Sequence, residues 1–275
     1  IMGAHYAEIE GCEKFSSDAI RDHYLPVGSN DVVPKLPLSI VLALSDKIDY
    51  LTSLWRIGIK PTGNKDPFAL RRTALGIIRI ILENKLDVDL DYLIDLTKVN
   101  FDMSDLQLFL KERIINHLTE RKYQKQVVEA VVKQYKLDFL PILPRVITEI
   151  TEFISSDPGV RFLAVYKRVF NLLSSNHELI SSEKKFSKER ATEDDKTLQK
   201  QLTLLKEQVE ECLQHKDFKK ALLSLVSIVD PVNQFLDNTQ VNCEERELRN
   251  LRYSLLSQIS ETTDSIVVFS EFDKK

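Results

Sequence analysis

Glycine is scarce in this chain, with 7 among 275 residues, and neither G-x-G-x-x-G nor G-x-x-x-x-G-K-[ST] occurs. A backbone that cradles phosphates through glycine-rich loops is therefore not expected, nor is a Rossmann fold or a β-sandwich. Cysteine is as sparse. Cys12, Cys212 and Cys243 are odd in number and far apart, and no C-x-x-C is present. Neither a disulfide framework nor a zinc knuckle is supported, and reduced thiols in a cytoplasmic protein are expected. No window of eighteen uncharged apolar residues exists, so no membrane span is expected. The start, "IMGAHYAEIEG", has neither the basic opening nor the apolar core of a signal peptide; it opens on Ile in mid-pattern and reads as a fragment. Net charge is −4. That makes no case for nucleic acid from the whole chain, so any such surface must be local.

Helical periodicity fills the space these absences leave. In residues 37–56, Ile40, Leu44, Ile48 and Leu51 fall on one stripe at three- and four-residue spacing. Asp66-Pro67 reads as a helix start, with Asp as cap and Pro in the first turn. The helix that follows reaches Leu82, with Leu70, Ala74, Ile77, Ile78 and Ile81 inward. Further helices are expected near 89–97, 104–120, 124–135, 141–155, 158–174, 196–214, 217–237 and 244–260, with a final half-helix in the tail. Residues 174–195 are polar and charged and read as a mobile linker or hinge. No strand pattern or fixed repeat is evident. The expectation is an all-α protein, divided as 1–135, 136–182 and 183–275.

Four clusters carry possible chemistry. Between Arg56 and Arg72 stand five cations, Arg56, Lys60, Lys65, Arg71 and Arg72, against one acid, Asp66, around a Pro61–Asn64 turn. Exposed backbone N–H groups, a helix N-terminus and lysines together suit phosphate oxygens; the plain alternative is a capped turn with solvated cations. Arg246, Arg249 and Arg252 recur every three residues beside Leu248, Leu251, Leu255 and Leu256. Such arginines either track RNA and stack on bases or form a solvated face laced with Glu244, Glu245 and Glu247. Arg121, Lys122 and Lys125 beside Tyr123 make a third basic patch, or simply a polar loop. Last, His5, His23 and Asp46 are weak candidates for a metal site, against ordinary hydrogen-bonded histidines and an Asp paired with a neighbour such as Lys47. No serine, cysteine or paired-carboxylate catalytic set stands out, and no catalytic residue is assigned.

The segment "GIKPTGNKDPFALRRTALGIIRII" (58–81) closely resembles a signature of the β subunit of bacterial glycyl-tRNA synthetase. The resemblance continues through "IMGAHYA", "AIRDHYLP" and "LALSDKIDYLTSLWRIGIKPTG", more loosely through "FLKERIINHL" and "AVYKRVFNLL", and ends at "PVNQFLDNTQVNCEERELRNLRYSLL". It implies the C-terminal portion of that subunit: an HD-like helical domain lacking its start, a helical middle region, and a DALR-like helical anticodon-binding domain. "SIVLALSDKIDYLTS" is similar to the helix that supplies a final metal-binding Asp in HD phosphohydrolase-like proteins, yet the adjacent His-Asp pair that names them is absent. The resemblance implies a tRNA-binding chain that supports ATP-dependent attachment of glycine to tRNA(Gly), with the active site, ATP and Mg belonging to the α subunit and no cofactor in this chain. Its implied partners are that α subunit, in an α2β2 hetero-oligomer, and tRNA(Gly). Alternatives are an HD-type metal-dependent phosphohydrolase and a helical scaffold that binds no RNA. In the closing motif the family usually has Asp, Phe, Val, Met and Asn where this chain has Asn233, Leu236, Thr239, Gln240 and Leu251, while Phe235, Asp237, Leu248, Arg249 and Arg252 fit. The residues placed on tRNA are Lys60, Lys65, Arg71, Arg72, Arg246, Arg249 and Arg252, with Arg71 also able to brace its own turn through Asp66 or a nearby carbonyl.

Overall fold

A computed structural model describes residues 2–175 and 191–273. Most of the polar stretch read as a hinge, residues 176–190, lies outside the described residues. Apart from an isolated antiparallel bridge between Thr62 and Lys65, every regular element among the described residues is helical. The chain divides into two compact units, residues 1–144 and 145–275.

The first unit holds α1 (Met2–Ile9), α2 (Lys14–Asp22), α3 (Pro37–Arg56), α4 (Leu70–Glu83), α5 (Leu90–Asp95), α6 (Met103–Glu120) and α7 (Lys125–Gln134), with a 3-10 segment over Leu137–Ile142. Helix α4 is its centre. Leu70, Ala74, Ile77, Ile78, Ile80 and Ile81 are each at most 1% exposed. It packs on α3, on α6 and on the 3-10 segment, so residues 76–81 are buried without a break, Arg79 among them, while Arg72 at its first turn stays exposed. Burying each of these isoleucines contributes about 1.5–3 kcal/mol. Helix α3 packs against α2, α4 and α5. It stops where Gly58 takes a left-handed φ of +76°, with Gly58 N–H on the Trp55 carbonyl (3.0 Å) and Ile59 N–H on that of Leu54 (3.0 Å). That pairing satisfies carbonyls the helix leaves open and fits glycine alone without strain.

Two buried cations hold the connection between α2 and α3. Lys47 Nζ donates to the carbonyls of His23 (3.3 Å) and Tyr24 (3.0 Å). Arg79 donates to the carbonyls of Gly28 (3.0 Å), Ser29 (2.9 Å) and Asp31 (2.5 Å) and pairs with Glu83 at 2.8 Å. Burial lowers the Lys47 pKa, an effect the nearby Asp46 charge opposes. Helix α4 approaches α3 closely at Gly76, where an added Cβ would meet Lys47 Cε at 3.0 Å.

The second unit comprises most of α8 (Leu143–Ser155), then α9 (Asp157–Ser174), α10 (Glu193–Gln214), α11 (Phe218–Ser224), a 3-10 turn over Leu225–Ile228, α12 (Val229–Asn238), α13 (Arg246–Asp264) and a 3-10 segment over Phe269–Asp273. The expected single helix over 217–237 is thus two helices with a tighter turn between them. Helix α10 packs on α11, α12 and α13, and α9 packs on α12 and α13. Phe162, Tyr166 and Phe269 gather in an aromatic cluster, with ring centroids 5.2–6.0 Å apart. Such rings bury large apolar area in tilted pairs. Tyr166 Oη donates to Asp264 at 3.0 Å, and burial raises the pKa of both groups.

Candidate nucleic-acid interface

The turn between α3 and α4 is built from within. Thr62 and Lys65 exchange backbone hydrogen bonds (3.0 and 2.8 Å), closing the Gly63-Asn64 tip. The expected helix start at Pro67 is corrected: α4 begins at Leu70, because Ala69 takes a left-handed φ of +54°. Asp66 still caps the helix, from further back. Its two carboxylate oxygens accept from Leu70 N–H (2.8 Å) and Arg71 N–H (3.0 Å). The helix N-terminus that a phosphate would use is therefore already met by the chain's own carboxylate.

Two of the turn's cations are committed to holding it. Arg71 donates to the Gly63 carbonyl at 2.5 Å. Lys60 pairs with Asp105 on α6 at 2.6 Å and lies over the Trp55 ring, 5.4 Å from its centroid. Trp55 Nε1–H donates to the same carboxylate at 3.0 Å, and the Lys60 ammonium holds the Asp105 carboxyl below its ordinary pKa. Lys65 and Arg72 are exposed, with no ion pair among the described residues.

On α13 the arginines do not lie on one solvated face. Arg246 is exposed, Arg249 is half-buried, and Arg252 is 6% exposed. The reason is helical geometry. Three residues advance about 300° round a helix, so the stripe rotates about 120° from Arg246 to Arg252, toward the core. Arg252 pairs there with Asp195, itself 0% exposed, at 3.2 Å and donates to the Gln240 carbonyl at 2.9 Å. Arg249 donates to the Cys243 carbonyl at 3.2 Å. Asp195 also closes a capping box with Thr192 at the start of α10. Its Thr-x-x-Asp spacing ahead of a helix was the readable signal for this residue, which the sequence analysis missed. Also missed was Arg168 on α9, which reaches Asn233 (2.7 Å) and Asp237 (2.8 Å) on α12.

The remaining clusters are dispersed. Arg121 pairs with Glu83 at 2.9 Å, and Lys122 and Lys125 are exposed around the α6–α7 loop. His5 and Asp46 are exposed, and His23 Nδ1–H donates to the Ile20 carbonyl at 2.7 Å. Among the described residues no group of three His, Cys, Asp or Glu is placed to hold a metal ion. No helix among them is long and apolar enough to cross a membrane.

Residues 1–133 match the family described as glycyl-tRNA synthetase beta subunit, and residues 162–266 match the DALR anticodon binding domain. The chain is 34% identical over 276 residues to the glycine–tRNA ligase beta subunit of Paracoccus denitrificans (strain Pd 1222), covering 99% of this chain and 40% of that protein. The chain belongs to the glycyl-tRNA synthetase β-subunit family. The namesake of Rickettsia typhi (strain ATCC VR-144 / Wilmington) is 36% identical over 98% of this chain and 40% of its own length, and that of Janthinobacterium sp. (strain Marseille) is 34% identical over 98% and 39%. The chain thus spans about two fifths of the length of the curated relatives it matches. The synthetase match contains the whole Lys60–Arg72 turn, and the DALR match runs from α9 to the end of α13. Within that family frame, the Arg252–Asp195 pair and the Arg168 bridge are internal ties of the anticodon-binding domain.

Proposed function

We propose that this chain is the tRNA-gripping, non-catalytic part of a glycine–tRNA ligase β subunit. The first unit is the trailing part of its HD-like helical domain, and the second carries its anticodon-binding domain. The α subunit, in an α2β2 assembly in the cytoplasm, holds the active site with ATP and Mg and joins glycine to the tRNA, releasing AMP and pyrophosphate. No cofactor is assigned to this chain. The observation that carries the reading is the 34% identity to a glycine–tRNA ligase beta subunit sustained over 99% of the chain.

The placement of the cations divides their labour. Lys65, Arg72 and Arg246 are exposed and meet phosphate, where each neutralised charge releases counterions. Lys60, Arg71 and Arg252 hold the frame on which these stand. The reading is tested by charging glycine-accepting tRNA with purified α subunit, with and without full-length β, beside direct binding of the tRNA to the 275-residue chain at low salt. Faster charging with β and tight, salt-sensitive binding are expected. Equal charging without β, together with no binding at low salt, would overturn it.

A further inference from the structure

Between α12 and α13 the chain runs from Thr239 to Glu245 without helix. Its burial alternates: Thr239 (9% exposed) and Val241 (7%) point inward, while Gln240 and Asn242 are exposed. Arg252 and Arg249 pin its backbone through the Gln240 and Cys243 carbonyls. Arg252 is fixed in turn by buried Asp195. The loop is therefore held from behind by two guanidinium groups, and neither exposed amide side chain has a partner among the described residues.

We propose that Gln240 and Asn242 read the edges of unpaired anticodon bases, and that Arg249 and Arg252 are positioning residues that present them. The inference rests on the tRNA-binding reading and assigns the base-reading task within it. A primary amide offers both donors and an acceptor, the pattern needed to tell one base edge from another. Unpaired bases expose those edges. Glu244, Glu245 and Glu247 are exposed beside the loop with Arg246 among them, so phosphate contact at this spot falls to Arg246 and not to the loop itself. A neutral base edge is what the two amides accept.

The test uses the 275-residue chain and anticodon stem-loop RNA of glycine-accepting tRNA, with each anticodon base replaced in turn. Discrimination is the ratio of affinities for the original and replaced loops; the salt slope of binding is measured alongside. Q240A and N242A change only exposed side chains and leave the fold intact. Each lowers discrimination at one position about tenfold, with the salt slope unchanged. R252Q also lowers discrimination with the slope unchanged, and R252K, which keeps the charge but not the fork between Asp195 and Gln240, does not restore it fully. A shallower slope in R252Q with discrimination intact would make Arg252 a direct phosphate contact and overturn its positioning role. Unchanged discrimination in both Q240A and N242A would overturn the inference alone. Failure of the unaltered chain to bind any stem-loop would overturn the functional reading as well.

Discussion

The stretches Lys60–Arg72 and Gln240–Arg252 share a device and differ in what it leaves free. In both, an arginine that composition marks as a ligand contact instead holds a backbone carbonyl, Gly63 for Arg71 and Gln240 for Arg252. Each stretch is tied to a carboxylate that secures a helix start: Asp66, inside the first stretch, caps α4, and Asp195, which caps α10, reaches across to Arg252 of the second. The first stretch leaves two exposed cations, Lys65 and Arg72; the second leaves one, Arg246, among three exposed glutamates, and beside it the exposed amides Gln240 and Asn242. Charge suits a phosphate backbone that looks alike in every sequence, and amides suit bases that do not. The lesson is that the count of arginines in a stretch says little until each guanidinium is followed to its acceptor.

The comparison breaks first at the two carboxylates. Asp195→Ala leaves the Arg252 charge buried and unpaired, and is expected to cost about 3–5 kcal/mol in urea unfolding. A loss under about 1 kcal/mol would mean that Arg252 reaches solvent. Next in size is a pH effect in the first unit, at His117. Burial, then the nearby Arg121 and Arg79 charges, push the pKa of His117 down to about 4, with Glu83 opposing. The unfolded chain takes up that proton near 6.5, so acid favours unfolding. Stability is full above 6.5 and falls as pH drops toward 4, by at most about 3 kcal/mol. His117→Gln should flatten that slope; an unchanged slope would assign it to other groups.

Smaller again is Asp66→Ala, which removes two backbone hydrogen bonds at the start of α4 and should cost about 1–2 kcal/mol. An effect as large as that of Asp195→Ala would erase the contrast between a half-buried cap and a fully buried ion pair. Lys60→Met should change stability by less than about 1 kcal/mol, since the Asp105 pair is half-exposed.

Helix α3 was legible to the residue because its apolar spacing, its Pro start and the Gly58 stop agree. The order of later helices was readable for the same reason. Helices α1 and α2, at 8 and 9 residues, were not; the shorter α5 was, and unlike α2 it has a side-chain cap at its start, Asp89. The start of α4 was misplaced because Asp66 caps across a turn whose last residue, Ala69, carries an unusual positive φ. Of the candidate interface, the charge was legible and the commitment of that charge was not. The acceptors of Lys60 and Arg252 lie 45 and 57 residues away, on other helices. A local pattern holds no trace of such a partner. Arg71 is the exception: its acceptor, Gly63, is eight residues back in the same turn, and the sequence did suggest that brace.

The central claim is that the exposed cations of the first turn grip phosphate while its committed cations hold the frame. Its most direct test is the salt dependence of glycine tRNA binding by the 275-residue chain carrying K65E and R72E together. The account predicts weaker binding to every tRNA sequence tried, with a slope shallower by roughly two phosphate contacts. Binding that keeps both its strength and its slope would contradict it.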